Sequence, residues 1–194
     1  SHRYRIETAS VFDAGTFDTP LGQFPIDEPF ARDLAERTHS TVWEPHLLEH
    51  ALEVQLPFVA EAVGLVPIVP VLFGSVPSDW HAALGKSLAE LMDPADLLIA
   101  STDLSHYLDE KSANRIDRHS IDTVLSRDWR NFAQGIREKS CAMCGSAAVA
   151  VTMAYAAARG AEDWRLLDYR TSAAASGDYN RVVGYAAMSL ERAA

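Results

Sequence analysis

The sequence has little of what several large functional classes require. Two cysteines, Cys141 and Cys144, occur in 194 residues. That is too few for a disulfide framework, so a reducing, cytoplasmic setting is the expectation. Positive charge is scarce as well, with 17 Lys and Arg against 27 Asp and Glu and a net charge of −10. Nucleic-acid binding needs clustered cations to displace counterions from phosphates. The nearest candidate, Arg115 to Arg118, is interrupted by Asp117 and reads as a solvated helix face. No apolar run approaches the roughly 20 residues needed to cross a bilayer. The start also lacks the basic, apolar and small-residue succession of a signal peptide. The expectation is therefore no nucleic acid and no membrane. The chain does not begin with Met, so its natural N-terminus is expected outside this stretch.

What is present reads as one domain over residues 1–194, with no repeat, linker or composition shift. Thr8 to Gly22 is extended and turning, with turn chemistry at Asp13-Ala14-Gly15 and Thr19-Pro20-Leu21-Gly22. Asp27 should cap a helix carrying Pro29 in its first turn. Leu47 to Val63 is a second helix candidate that Pro57 should kink or break. The apolar run from Leu65 to Phe73 suits a buried strand, made irregular or edge-like by Pro67 and Pro70. Ser78 should cap a helix running to about Met92. Asp96 to Ser101 is the clearest central strand. Two mostly polar helices are expected between Asp109 and Lys139. A helix apolar nearly all round should run from Cys144 to Arg159 and stop at Gly160. Strands at Trp164 to Thr171 and Arg181 to Leu190 close the chain. This alternation implies an α/β fold with a largely parallel or mixed sheet flanked by helices, and sites in such sheets form beyond strand ends.

Three constellations carry chemistry-bearing residues. In Ser101-Thr102-Asp103-Leu104-Ser105-His106-Tyr107 an apolar segment opens into hydroxyl, carboxylate and imidazole groups. Asp103 there is able to orient His106 and raise its basicity; the bland reading is a polar turn with Asp103 as a cap. Cys141-Ala142-Met143-Cys144-Gly145 puts a thiol at the start of the buried helix, where the macrodipole favours a thiolate ligand or nucleophile. The same Cys-x-x-Cys also reads as a thiol redox pair, as half of a zinc site, or as small residues easing packing. The segment Glu49 to Pro57 would put Glu49 and Glu53 on one helical face, with His46 and His50 on a neighbouring one. A solvated or capping role is the simpler reading there, and His39, His81 and His119 read as surface residues.

Together these segments resemble a known family. Thr19-Pro20-Leu21-Gly22, Glu49 to Phe58, Ser101 to Tyr107, Met143-Cys144-Gly145 and Val183-Gly184-Tyr185 occur in the order found in the Memo-like family, also called AmmeMemoRadiSam system protein B. The resemblance spans nearly the whole chain. It implies a fold similar to class III extradiol dioxygenases, with a central mixed sheet flanked by helices. It also implies a pocket holding a redox metal, iron(II) or copper, through two histidines and a cysteine. Carried over by motif, Cys144 is the cysteine ligand, and Asp103 and His106 are the pocket residues beside the metal. Ser1-His2 looks like the end of the family's Gly-Pro-Ser-His segment, which makes His2 a ligand; a tag remnant is the other reading of those two residues. The family's His-Ala-Gly-Tyr motif, source of the remaining histidine, is absent, as is the first βα unit. The implied function is a metal-dependent redox or oxygenase-type enzyme acting on an unknown small molecule, with His106 as acid/base and Asp103 orienting it. The alternatives are a phosphopeptide-binding module using the same pocket, and thiol exchange through Cys141 and Cys144.

Overall fold

The structure, a computed structural model, describes residues 6, 9–40, 44–74 and 78–192, without the side chains of residues 78 and 79. The chain divides into two compact units, Ser1–Val76 and Pro77–Ala194. His2 and the capping side chain of Ser78 lie outside what is described.

In the first unit, β1 (Ala9–Val11) is buried throughout and pairs antiparallel with β4 (Val71–Phe73). β2 (Thr16–Thr19) and β3 (Gly22–Pro25) form a hairpin around Pro20-Leu21. Its turn is closed by the Thr19 hydroxyl, which donates to Gly22 O at 2.8 Å and accepts from Leu21 N–H at 3.2 Å. Gly22 sits at φ +133°, a region that favours glycine. Asp27 caps α1 (Glu28–Thr38) as expected, its carboxylate accepting from Phe30 N–H at 3.2 Å. Ala31, Leu34 and Ala35 turn into the core, repeating at the spacing of one helix face.

The expected helix from Leu47 to Val63 is not one element. A short 3₁₀ helix, Glu44–Leu48, is followed by turns, and α2 (Leu56–Val63) starts only beside Pro57. Proline in a first helical turn loses nothing, because that N–H has no intrahelical acceptor. The shared helical faces proposed for Glu49/Glu53 and His46/His50 therefore do not exist. The Leu65 to Phe73 run is a strand only over its last three residues. Ahead of them, between Pro67 and Pro70, a parallel bridge joins Ile68 to Ile26.

In the second unit, α3 (Ser78–Leu91) lies against α6 (Ser146–Ala158). A Cβ at Gly85 would come within 2.7 Å of the Ala154 Cβ and the Tyr155 backbone, so glycine sets how closely the helices approach. Arg159 donates to Ala89 O and Met92 O at 3.0 Å, tying the end of α6 to the end of α3. α6 ends as expected at Gly160, φ +69°. Gly160 N–H donates to Ala157 O and Ala161 N–H to Ala156 O, the paired bonds of a Schellman cap. Two further helices, α4 (Glu110–Leu125) and α5 (Trp129–Arg137), start on capping carboxylates, Asp109 and Asp128. β6 (Asp163–Thr171) and β7 (Val182–Glu191) run antiparallel, and β5 (His106–Leu108) pairs with the other side of β7. A single turn, α7 (Ala173–Ser176), joins β6 to β7. The core gathers Leu104, Ile121, Phe132, Met143, Ala150 and Met153.

The architecture is a mixed α/β one, with a correction to its sheets. The ladders among the described residues are antiparallel, and the one parallel pairing is the Ile26–Ile68 bridge. Asp96 to Ser101, expected as the central strand, belongs to no ladder among the described residues. Leu97 and Ile99 are 77% and 48% exposed, and Asp96 instead accepts from Asp93 N–H at 2.8 Å in a tight turn. Apolar, branched composition prepares a strand, but only a neighbouring ladder makes one.

Candidate metal centre

Two backbone approaches bring the site together. The first joins the loop before β5 to the start of α6. Asp103 N–H donates to Cys144 Sγ at 3.1 Å, and Cys144 N–H donates back to Asp103 O at 3.1 Å. Thr102 ties the same junction: its hydroxyl accepts from Gly145 N–H and donates to Asp103 O, both at 2.9 Å. Gly145 makes this approach possible, since a Cβ there would lie 2.3 Å from Ser101 O and 2.9 Å from the Thr102 Cβ. The second approach joins the loop to β7, through Leu104 N–H to Gly184 O at 2.9 Å and Gly184 N–H to Ser105 O at 3.0 Å. Leu104 and Ser105 are thereby buried, while Asp103 and His106 on either side emerge.

The result is a convergence of three donor types. One ligand atom each from Asp103, His106 and Cys144 lie within 4.8 Å of one another. His106 Nε2 is 3.4 Å from Asp103 Oδ2, with the two side chains 35% and 44% exposed. Cys144 is a free, exposed thiol, and the Thr102 hydroxyl lies 3.9 Å from its sulfur. The sequence reading named all three residues, and the fold brings them together.

Around the cluster is an aromatic rim that the sequence reading did not single out. Tyr107 adopts φ +61°, unusual for a bulky residue. Its ring meets the His106 ring edge-on at 5.7 Å, and the Arg181 guanidinium lies 4.6 Å above it. Burial, with the neighbouring Asp103 and Tyr107, pushes the Tyr185 phenol up from its ordinary pKa. The motifs Ser101 to Tyr107 and Val183-Gly184-Tyr185 carry the two tyrosines of this rim, whereas Arg181 lies in no motif.

The other singled-out residues fall elsewhere. Cys141 is buried in the core and directs its thiol to the Thr123 hydroxyl at 3.6 Å, so the two cysteines have different surroundings. His46 is buried, its Nε2 3.0 Å from Ser10 O, and burial pushes its pKa down. Glu49 is buried and accepts from the N–H groups of His50 and Ala51, in the turns ahead of α2, so it is neither solvated nor a helix cap. Glu53 and His50 are exposed. His39 and His119 are surface residues as read. His81 is not: it is 8% exposed, neither ring nitrogen finds a partner among the described residues, and burial lowers its pKa. Asp117, read as part of a solvated face, is 0% exposed, because the helix turns it toward β6 and β7 while Arg115 and Arg118 stay outside.

Comparison with known proteins bears on what such a site serves. The profile of the family described as Memo-like protein matches residues 1–189. A MEMO1 family protein of Methanobrevibacter smithii is 36% identical over 183 residues, covering 91% of this chain and 64% of that protein. A counterpart from Thermoplasma acidophilum is 33% identical over 191 residues, covering 97% and 70%. One from Thermotoga petrophila is 33% identical over 186 residues, covering 93% and 65%. The chain thus spans about two thirds of the length of these relatives.

Proposed function

The chain belongs to the Memo-like protein family, and from that premise we propose that it is a metal-dependent redox or oxygenase-type enzyme using iron(II) or copper. The observation that carries the proposal is the meeting of carboxylate, imidazole and thiol within 4.8 Å. Bonds of about 2.0–2.3 Å to nitrogen, oxygen and sulfur keep two donors of one ion within about 4.6 Å of each other. The cluster is therefore compact enough that an ion held by Cys144 would lie beside Asp103 and His106. A thiol-containing set disfavours magnesium and calcium and suits softer transition metals.

In this reading Cys144 is a metal ligand and His2 supplies another. Asp103 Oδ2, 3.4 Å from His106 Nε2, keeps the ring turned, and His106 exchanges a proton with the substrate through its other ring nitrogen. The reciprocal bonds between Asp103 and Cys144 hold the thiol and the acid/base pair at a fixed spacing. When bound, the metal supplies the electron or oxygen chemistry that these side chains lack. We read the two units as one Memo-like domain, because the family profile runs through both. A class III extradiol dioxygenase-like central mixed sheet for the whole protein, and a cytoplasmic setting that keeps both thiols reduced, belong to the same proposal. Ring cleavage does not follow from such a fold.

The test is metal analysis of protein purified without oxygen. We expect about one iron or copper per chain, lost in Cys144→Ala and kept in Cys141→Ser. A metal-free wild type with no change on Cys144→Ala would refute the reading. A thiol-exchange protein would instead need both cysteines. A second reading, binding of a phosphopeptide in the same place, is favoured by Arg181 poised over Tyr107 beside His106, since arginine pairs well with phosphate. It predicts saturable phosphopeptide binding that Arg181→Ala removes and metal removal leaves unchanged.

A further inference from the structure

Behind the cluster lies a carboxylate that the proposed chemistry does not use. Asp117, on α4, is completely buried. Carboxylates are seldom fully buried without a charged partner, and none of the ion pairs among the described residues involves Asp117. Its two oxygens instead take neutral donors. Oδ1 accepts from Ser105 N–H at 2.9 Å, and Oδ2 accepts from the Tyr169 hydroxyl at 2.9 Å. The Tyr169 oxygen is also 2.8 Å from Asn114 Oδ1. One phenolic proton cannot serve both acceptors at once; turning the Asn114 amide so that its NH2 donates to Tyr169 would leave that proton to Asp117. Tyr169 is further covered by Arg118, 5.2 Å above its ring.

The neighbouring strand is shaped around this carboxylate. A Cβ on Gly184 would lie 2.0 Å from Asp117 Oδ2, so any other residue there would displace it. Gly184 also exchanges two backbone bonds with Leu104 and Ser105. The Leu104-Ser105 pair is thus gripped by a carboxylate on one side and a strand on the other. Asp103 and His106 are the residues immediately flanking that pair. If the only task were to fasten α4 to β6 and β7, a well-packed apolar residue would do it without the cost of burying a carboxylate.

We propose that Asp117, oriented by Tyr169 and admitted by Gly184, is the positioning residue of the site, holding the Ser105 amide so that Asp103 and His106 face Cys144. The proposal deepens the metal reading and rests on it. Outer partners of this kind typically change metal affinity by about tenfold to a hundredfold.

The test titrates the full metal-free chain with cobalt(II), following the near-ultraviolet thiolate-to-metal band, with thermal melting in parallel. Asp117→Asn replaces the carboxylate by a neutral amide, whose oxygen is a weaker acceptor for Ser105 N–H and whose NH2 reverses the bond to the Tyr169 hydroxyl. It is expected to weaken cobalt binding at least tenfold and to alter the band. Tyr169→Phe leaves the Ser105 bond but frees the carboxylate to swing, and is expected to lose severalfold. If both variants melt earlier yet bind cobalt with the wild-type affinity and spectrum, Asp117 is merely structural and the proposal is overturned. Should Asp117→Asn fail to fold, Tyr169→Phe decides by the same criteria. Should the wild type itself not bind cobalt, the metal reading fails separately. The positioning claim is then read from alkylation of Cys144 by iodoacetamide, Cys141 being buried. A rate altered at least threefold in Tyr169→Phe supports it, and an unchanged rate overturns it.

Discussion

Residues 44–55 and residues 101–106 both bring histidine and carboxylate together, in the first and second units respectively. In the first stretch two of these groups turn to the backbone. His46 meets Ser10 O, and the Glu49 carboxylate takes the amides of His50 and Ala51. In the second, the Asp103, Leu104 and Ser105 amides are taken by the Cys144 thiol, Gly184 O and the Asp117 carboxylate, and the Asp103, His106 and Cys144 side chains face one another. Residue type is therefore a poor guide to function. Each stretch holds a histidine–carboxylate pair at similar range, His50 Nδ1 3.5 Å from Glu49 Oε1 and His106 Nε2 3.4 Å from Asp103 Oδ2. What separates them is that the Glu49 oxygen also serves two amides, while a thiol stands beside the Asp103 pair.

The comparison can be broken most forcefully at Gly145. Gly145→Ala forces a Cβ against Ser101 O and Thr102, and is expected to cost about 2–3 kcal/mol by overpacking and to remove metal binding. Chemical denaturation and metal analysis would check both effects, and a stable, metal-loaded variant would mean that the junction tolerates slack. Next comes Glu49→Ala, which strips two amides of their acceptor. A loss of about 1–3 kcal/mol is expected with metal content unchanged; loss of metal would show that the first stretch is not merely structural.

Acid should discriminate more gently. Burial lowers the pKa of both His46 and His81 below the ordinary histidine value of about 6.5. Above 6.5 each is neutral whether folded or unfolded. As pH falls through 6.5 the unfolded chain takes up protons first, so stability drops until the lowered folded pKa is passed. Denaturation at pH 7.5 and 5.5 should show this decline, smaller in His46→Gln. The smallest effect is expected at exposed His50, where substitution by Ala should stay within about 0.5 kcal/mol and leave the cluster untouched.

Much of this arrangement was legible in the sequence where the signal was local. The Asp27 cap, the all-apolar α6 with its Gly160 stop, and β6 and β7 carry their own periodicity and punctuation. So do Asp103, His106 and Cys144, which stand where apolar segments end. Features that depend on a remote neighbour were not legible. Asp117 sits between arginines and looks solvated, yet its partners are Ser105, 12 residues away, and Tyr169, 52 residues away. Asp96 to Ser101 has the composition of a strand, and composition says nothing about whether a ladder lies beside it. Pro57 signals interruption equally well whether it breaks a helix or begins one.

The loop before β5 has no regular secondary structure, yet three successive amides in it are engaged: Asp103 with a thiol, Leu104 with a carbonyl and Ser105 with a carboxylate. In deuterated water these hydrogens should exchange slowly, on the timescale of the core, while those of Leu97 to Ile99 are replaced quickly. By the clock of solvent exchange, the segment holding the candidate centre should count among the stiff parts of the protein, and the strand-like stretch leading into it among the loose ones.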